Sequence, residues 1–485
     1  MGRLVPYFAI AALTGALMIP ALLSPPMLHQ SFWIDWVWAD QFTAELGRGV
    51  IYPRWLPLSH GGLGSPVFYF YPPLSFFLAG GFGLAGLSTY ASILAAFAAA
   101  FAASGFAMYR WLRGWTAYPL AGALFFMAAP YHVIDFYGRG ALAESVGIAF
   151  LPLIALGLKR AHERRDFILP ALAFAGLIFS HLPLAVLAIV FLVIPYALFL
   201  ARRDWKQLVR LLLPFPIGAA IAGIYLVPAL MLDRHRAAEH LWTLPYLRTG
   251  YWNVFTFDWS ALEIFGGLVF ATMFAIAVSG LIIFAWARSA WAAWAVIVCL
   301  VAAGFLPGFW SLPIIEKVQF SYRALSFAEL ALATALALAS RHAIGIAMLS
   351  LIPSLLVSAL ATQPSIHPGT APMKLLASRH PDVLEYAPPG ATQPGWTTAW
   401  DFVVADHLPR PRADMKVERT FYFPSWEVRC GGRQVETFRN LDTGLLSYRG
   451  DQCERRIVPT SEERIGQALS LLGLLMLALL RWRKA

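Results

Sequence analysis

The chain has 485 residues, of which 59% are hydrophobic and only 13% are charged, and its formal net charge is +10. Since a soluble globular protein carries roughly 25% charged residues, this composition excludes an ordinary soluble domain and predicts that lipid solvates most of the chain. The positive charge does not indicate a nucleic-acid-binding protein, because the Lys and Arg residues collect in clusters at the ends of apolar runs, as in membrane proteins.

The first apolar run, VPYFAIAALTGALMIPALL (5–23), follows Met-Gly-Arg at the start of the chain. A run of about 20 apolar residues is long enough to cross the hydrocarbon core of a bilayer. No small-residue cleavage site follows this run. We therefore expect an uncleaved signal anchor rather than a cleaved signal peptide.

Basic clusters orient the spans that follow. Clusters at 110–113, 159–166 and 201–210 each end an apolar run, and RWRKA ends the chain. Placing these clusters in the cytoplasm predicts about twelve membrane spans, with both termini cytoplasmic. Residues 24–87 then form a long outer loop. Its apolar stretch at 72–86 is expected to be an interfacial or re-entrant helix, because a span there would move two basic clusters outside.

A polar block at 361–463 follows the eleventh predicted span. Its alternating stretches, such as TFYFPSWEVRC, are typical of short strands. We expect a membrane domain over 1–360, an extracytoplasmic β-rich domain over 361–463, and a final span with a basic cytoplasmic tail over 464–485. The predicted fold class is an all-α polytopic membrane protein with a small β domain before the last helix.

The chain has three cysteines, of which Cys430 and Cys453 lie in the polar block. An oxidising compartment favours a disulfide between them, and two free buried thiols are the alternative. Cys299 lies within the ninth predicted span, where we expect it to be part of the core.

Acids gather at the outer ends of the predicted spans, where ionisable residues are candidates for function. Asp35, Asp40 and Glu144 are candidate catalytic residues, because a carboxylate within hydrogen-bond reach of a hydroxyl can act as general base. The alternatives are solvated loop acids for Asp35 and Asp40, a helix N-cap for Asp40, and an ion pair with Arg139 for Glu144. Asp135 is expected to face solvent.

Five side chains, including that of Arg139, are candidates for holding a phosphate. Arginine suits this role because its guanidinium group is planar and permanently charged. The five are Arg54, His60, Tyr137, Arg139 and Arg323. Headgroup anchoring is the alternative for Arg54, and snorkelling is the alternative for Arg323. No cofactor is certain, but a divalent cation (Mg or Mn) held by Asp35 and Asp40 is a further possibility.

Several motifs, taken in order, resemble the GT-C superfamily of membrane glycosyltransferases. They are GRGVIYPRWLP (47–57), GSPVFYFYPPL (64–74), APYHVIDFYGRGALAE (129–144), VQFSYRALSF (318–327), LEYAP (384–388), FYFPSW (421–426) and PTSEERIGQALS (459–470). More narrowly, the chain resembles the bacterial YfhO-like group, some members of which are labelled "6-pyruvoyl-tetrahydropterin synthase-related". The resemblance covers nearly the whole chain, and nothing in the sequence supports pterin chemistry.

The resemblance implies a hexosyl- or pentosyltransferase of a bacterial inner (plasma) membrane. It would use a polyprenyl-phosphate-linked sugar donor on the outer face, with a lipid, glycan or protein as acceptor. It places the catalytic base on Asp35 or Asp40, a second acid on Glu144 or Asp135, and the lipid phosphate near Arg323. The two first-loop acids are spaced Asp-x-x-x-x-Asp, which departs from the acidic-pair or Asp-x-x-x-His pattern of the family. The choice of base therefore stays open, with Asp35 slightly favoured.

Two alternatives belong to other functional classes. A transporter of lipid-linked glycans predicts charges at mid-membrane depth and internal repeats, whereas the charges here are expected at helix ends. A non-catalytic GT-C-like protein that assists envelope glycan assembly would keep the fold without the activity.

Overall fold

The computed structural model describes residues 4–24, 31–242, 245–259, 264–339, 380–389, 415–441 and 443–482, together with residues 377 and 391. Twenty α-helices build most of this described part. The first ten are α1 Val5–Leu23, α2 Phe32–Gly47, α3 Ser59–Gly62, α4 Val67–Phe70, α5 Leu74–Leu84, α6 Thr89–Leu112, α7 Pro119–Met127, α8 Pro130–Ile134, α9 Leu142–Ile148 and α10 Leu151–Arg164. The others are α11 Ile168–Ser180, α12 Leu182–Ala188, α13 Ile194–Ala201, α14 Trp205–Leu212, α15 Pro214–Ile221, α16 Gly223–Met231, α17 Ile264–Ala287, α18 Ala290–Ala302, α19 Leu325–Ala339 and α20 Ser461–Trp482.

Within the described residues, eight helical stretches are long and apolar enough to cross a membrane, and a ninth is possible if the bent pair Trp205–Ile221 and Gly223–Met231 is one span. The shorter apolar helices α11 and α18 occupy two further predicted spans. The eleventh predicted span falls outside the described residues. The prediction of a polytopic helical membrane protein is thus confirmed.

The long first outer loop is largely helical rather than open. It contains α2, which has 16 residues, and α5, which has 11. At 1.5 Å per residue α5 is about 16 Å long, too short to cross a bilayer. It packs against α2 and α6, and its interfacial or re-entrant position stays a prediction.

In the described part of the predicted β-rich block there are six strands. They are β1 Lys416–Phe421, β2 Trp426–Cys430, β3 Arg433–Val435, β4 Thr437–Arg439, β5 Leu445–Tyr448 and β6 Cys453–Ile457. They form two antiparallel three-stranded sheets with strand orders β1-β5-β4 and β3-β2-β6. A disulfide joins Cys430 to Cys453 between paired positions of β2 and β6, and Cys299 is a buried free thiol in α18.

The sheets pack on the first outer loop. The Phe421 N–H donates to the Leu63 carbonyl over 2.7 Å, and the rings of Trp55 and Trp426 meet edge to face at 5.3 Å. The ring of Tyr69 lies 4.5 Å from that of Phe423. The proline- and aromatic-rich segment of the loop is therefore the surface on which the β region rests.

The two ends of the helical bundle differ in charge. A hydrogen bond of 3.1 Å between Gln207 and His162 brings the basic clusters at 159–166 and 201–210 together. Glu144 and Arg164 lie 20 residues apart in the apolar stretch Leu142–Arg164, about 30 Å at 1.5 Å per residue. Since this is the thickness of the hydrocarbon core, Glu144 and the basic cluster at 159–166 lie at opposite ends of this stretch.

Candidate active site

Glu144 is the centre of a buried polar cluster. One of its oxygens accepts hydrogen bonds from Arg139 Nη1 at 2.6 Å and Arg323 Nε at 2.9 Å, and the other accepts from the Tyr131 hydroxyl at 2.6 Å. The carboxylate is fully buried, and both arginines are at most 5% exposed. The ion pair considered for Glu144 and Arg139 is present, and Arg323 joins it from a helix 179 residues away in sequence.

Asp135 belongs to the same cluster. It begins a π-helical turn, Asp135–Arg139, and turns of this kind occur frequently at functional sites. Its two oxygens accept from Arg139 Nη1 at 2.6 Å and from the Ser145 hydroxyl at 2.8 Å. The expectation that Asp135 faces solvent is wrong, since it is fully buried. Burial is tolerated because each carboxylate oxygen has a donor.

Asp35 reaches the cluster from α2. Its Oδ2 accepts from the Leu142 N–H over 3.2 Å, two residues from Glu144. Its Oδ1 is buried without a hydrogen-bond partner among the described residues. Burial raises the pKa of Asp35 well above its ordinary value, against the lowering effect of the Leu142 N–H. Asp35 is only 1% exposed, so the alternative of a solvated loop acid is wrong.

The start of α2 is fixed against the π turn, which places Asp35. The Ser31 N–H donates to the Arg139 carbonyl over 2.9 Å. Gly140 has a φ of +63° and lies so close to Phe32 that a Cβ atom there would be 2.6 Å from the Phe32 Cβ. Only glycine allows both the positive φ and this approach, which explains the glycine in the motif FYGRG.

Asp40 lies elsewhere on α2. Five residues correspond to about 140° around a helix, and its Oδ1 accepts from the Thr89 hydroxyl at the start of α6 over 2.7 Å. Because Asp40 lies inside α2, the alternative of an N-cap is wrong. Asp35 and Asp40 thus have different partners.

In the part of the chain that the structure describes, no three or more His, Cys, Asp or Glu side chains are grouped to hold a metal ion, and the divalent cation stays a prediction.

Two other predicted phosphate ligands contact different parts of the protein. His60 is buried with its Nε2 atom 4.0 Å from Asp382 Oδ2, and burial lowers its pKa. The Tyr137 hydroxyl donates to the Leu17 carbonyl of α1 at 2.5 Å. These contacts tie the first outer loop to residue 382 and the π turn to α1.

Arg54 forms a separate buried ion pair. Its Nε atom lies 2.9 Å from Glu463 at the start of α20, and its Nη2 donates to the Ile224 carbonyl at 2.7 Å. The structure therefore divides the predicted site residues into two sets. Asp35, Arg139, Glu144 and Arg323 lie in the cluster with Asp135, whereas Asp40, Arg54, His60 and Tyr137 do not.

Three further side chains complete the cluster. The Tyr322 ring lies 5.4 Å from the Arg139 guanidinium, and its buried hydroxyl has no hydrogen-bond partner among the described residues. His181 Nδ1 accepts from the Leu184 N–H at 3.2 Å, as expected for a residue at a helix end, so Nε2 carries the proton and faces Glu144 at 3.8 Å. Tyr131 and Tyr322 lie inside the motifs APYH and FSYR, and these motifs were the only indication in the sequence that the two tyrosines belong to the site.

Glu329 was missed, although an acid inside an apolar helix is a signal in itself. It lies in the apolar stretch Ser321–Ala339, is 1% exposed, and accepts from the Tyr131 N–H at 2.6 Å. The expectation that charged residues lie only at helix ends is therefore wrong. Its contact is with a backbone amide at the start of α8, so Glu329 positions Tyr131.

The cluster keeps unused hydrogen-bonding capacity. In addition to Asp35 Oδ1 and the Tyr322 hydroxyl, Arg139 Nε is buried without a partner in the described chain. Buried polar groups are normally satisfied. An acceptor and two donors left open around one ion-pair network are suited to a polar ligand that completes them.

No protein-family model and no curated protein matches the chain. Among solved structures it is similar to the arabinofuranosyltransferase AftD from Mycobacteria, at 18% identity and a TM-score of 0.42 over 73% of this chain and 26% of AftD. A mutant of AftD gives 19% identity and a TM-score of 0.46 over 76% of this chain and 29% of AftD. The chain thus spans less than a third of the AftD length.

A second similarity is to ArnT from Cupriavidus metallidurans bound to undecaprenyl phosphate. It has 12% identity and a TM-score of 0.29, and covers 71% of this chain and 78% of ArnT. Both proteins are GT-C glycosyltransferases, the superfamily that the motifs resemble. At TM-scores below 0.5 these similarities do not assign an activity to this chain, and the YfhO-like resemblance stays a prediction.

Proposed function

We propose that this protein is an integral membrane glycosyltransferase that moves a sugar from a polyprenyl-phosphate donor to a hydroxyl acceptor on the extracytoplasmic face. The observation that carries the proposal is the convergence of Arg139 and Arg323 on Glu144, beside Asp35 with its open Oδ1 atom. Such a buried cluster at one end of apolar helices combines cations for a phosphate with a carboxylate for a hydroxyl proton.

Asp35 is the proposed general base. The acceptor oxygen attacks the anomeric carbon, the bond from that carbon to the phosphate oxygen breaks, and the hydroxyl proton moves to Asp35 Oδ1. The polyprenyl phosphate leaves with the bonding electrons, and the anomeric configuration inverts. The raised pKa of Asp35 suits this role, because a carboxylate with a higher pKa binds a proton more strongly.

Arg139 and Arg323 are proposed to hold the donor phosphate. Arg139 Nε is open among the described residues, and Arg323 is held in place by donating from Nε to Glu144 and from Nη1 to the Val318 carbonyl. Fixed donors aimed at an oxyanion stabilise the charge that develops as the phosphate leaves. Glu144 then positions the two guanidinium groups, and a divalent cation is an additional possibility.

A transfer assay tests this proposal. The purified protein in liposomes is given a panel of polyprenyl-phosphate hexoses and pentoses with a lipid, glycan or peptide acceptor. Asp35→Asn is expected to lower the rate by about 10²- to 10⁴-fold, the usual contribution of a general base. Asp40→Asn, the matched control on the same helix, is expected to stay within a few-fold of wild type.

The reverse pattern of the two variants would move the base to Asp40. Absence of transfer by the wild type from every donor would favour the non-catalytic alternative. Loss of transfer in EDTA, restored by Mg²⁺ or Mn²⁺, would add the cation to the mechanism.

The proposed orientation is tested separately, in a Cys299→Ala background. Leu58 is 46% exposed in the first outer loop, and His162 lies in a basic cluster. Leu58→Cys should react with a membrane-impermeant maleimide in intact cells, and His162→Cys should react only after permeabilisation. The opposite labelling would invert the topology and place the proposed active site on the cytoplasmic face.

A further inference from the structure

A cavity lies outside the Glu144 cluster, between the predicted first outer loop, β2 and β6, and the start of α20. It has a volume of about 510 Å³. The side chains that matter for its chemistry are Tyr52, Arg54, Trp55, Tyr69, Trp426 and Glu463. A volume of this size accommodates one or two sugar rings or a lipid headgroup, since small-molecule sites range over about 300–1,000 Å³.

Arg54 makes this cavity a built site. The residue is 7% exposed and is held by Glu463 and by the Ile224 carbonyl. Its Nη1 atom is buried without a hydrogen-bond partner among the described residues. The guanidinium thus keeps one donor group for a ligand, while its other contacts fix its position.

The charges of the cavity favour a neutral ligand. Arg54 is paired with Glu463, and Arg48 at the rim is paired with Glu45. The formal charges of these four groups sum to zero, and each guanidinium is already paired with a carboxylate. A sugar hydroxyl both donates and accepts hydrogen bonds, so it can contact both members of such a pair. At each position the cation can donate a hydrogen bond and the acid can accept one, as a sugar hydroxyl requires.

The aromatic residues favour the same ligand. Trp55 and Trp426 pack edge to face with their rings 5.3 Å apart, and the Tyr52 ring lies 3.9 Å from the Arg54 guanidinium. A sugar ring has an apolar C–H face and a polar rim. It can lie on an aromatic ring while its hydroxyls reach Arg54 and Glu463, and aromatic residues with one polar end suit such mixed contacts.

We propose that this cavity binds a neutral sugar residue of a glycan acceptor. The inference rests on the proposed glycosyltransferase activity and assigns it an acceptor class. The donor phosphate belongs to Arg139 and Arg323, so the two substrates have separate sites.

The chain path connects the two sites. Tyr69 lines the cavity, and Tyr71, two residues further, packs on Trp38 with ring centroids 4.9 Å apart. Trp38 follows Asp35 by three residues on α2, so the two lie on the same side of that helix. Two residues span at most about 7 Å. The cavity and the proposed base are thus linked by packed residues of the same predicted loop.

The test uses the full chain in nanodiscs and measures binding rather than transfer. Diazirine derivatives of maltotriose, mannotriose and arabinotriose are photolysed with the wild type, and the labelled peptides are mapped by mass spectrometry. Labelling is expected in peptides containing 45–58 and 457–463, and excess unlabelled trisaccharide should compete it away. Inorganic phosphate at the same concentration should not compete.

Two variants sharpen the mapping. Tyr52→Ala and Trp426→Ala are each expected to lower the labelling at least fivefold, while Arg429→Gln, a change in an exposed ion pair of β2, leaves it unchanged. Elution on size exclusion identifies any variant that has lost its fold. The peptide map of the wild type tests the proposal independently of the variants.

Three outcomes would overturn the inference: labelling of other peptides, absence of labelling by all three sugars, or competition by phosphate or by vesicles of anionic lipid. Transfer activity without sugar labelling would contradict only this inference. Sugar labelling without transfer from any donor would leave the cavity as a glycan site and contradict the proposed activity.

Discussion

Two buried arginine–glutamate sites lie in the described part of this protein, and they differ in stoichiometry. At Glu144 one carboxylate receives two guanidinium groups, with Asp135 and Asp35 beside them. At Arg54 one guanidinium meets one carboxylate next to an open cavity. Among the described residues, the first site keeps open buried atoms on Asp35, Arg139 and Tyr322, and the second keeps one on Arg54. The two sites therefore differ in how many hydrogen bonds they leave for a ligand.

The largest effect is expected from removing the shared acid. Glu144→Gln leaves Arg139 and Arg323 buried without their common partner, and an uncompensated buried charge costs about 3–5 kcal/mol. Transfer activity should be lost as well, because both arginines lose their orientation. Thermal unfolding in detergent, followed by tryptophan fluorescence, measures the change in stability.

Glu316→Gln is the matched control for that variant. Glu316 is 47% exposed and forms an ion pair with Lys317, and exposed pairs contribute about 0–1 kcal/mol. Its melting temperature should therefore stay close to that of the wild type. Equal destabilisation by the two substitutions would show that the Glu144 cluster is not a buried charge network.

A smaller effect, of about 3 kcal/mol at the low end of the range for broken buried pairs, is expected from Glu463→Gln. Glu463 accepts from the Thr460 N–H at 2.9 Å, and Thr460 accepts from the Glu463 N–H at 3.3 Å, which is a capping box. Glutamine retains the capping box, so the substitution removes only the charge that faces Arg54.

The partner substitution Arg54→Met should cost less than Glu463→Gln, because a carboxylate in the first turn of α20 keeps the favourable interaction with the helix N-terminus. The double variant should recover part of the loss, since removing both charges leaves no unpaired ion. Strict additivity in this double-mutant cycle would contradict a direct Arg54–Glu463 interaction.

The sequence predicted the helical membrane fold well and the two sites unevenly. Apolar runs and basic clusters located the spans, because hydrophobic length and charge asymmetry are local properties. The convergence of Glu144, Arg139 and Arg323 was only partly predictable, since Arg323 arrives from a distant helix.

The separation of Arg54 from that cluster could not be predicted. YPRW and FSYR place arginine beside aromatic residues in the same way, and only tertiary packing assigns one to Glu463 and the other to Glu144. The depth of Asp35 was missed for a related reason, because an acid among tryptophans is equally typical of an interfacial loop and of a buried helix.

Reducing the disulfide is expected to affect only one of the two sites. Cys430 and Cys453 are 23 residues apart, and a bridge closing a loop of this size contributes about 3 kcal/mol in the chain-entropy model. The bridge joins β2 to β6, next to Trp426 and Ile457 of the cavity. Reduction should therefore loosen the Arg54 site and leave the Glu144 cluster unchanged. Hydrogen exchange with and without dithiothreitol measures this difference, with the Cys430→Ser/Cys453→Ser variant as a second route to the same state. Faster exchange is expected in 426–457 and unchanged exchange in 142–148, whereas equal acceleration in both segments would mean that the two sites unfold as one unit.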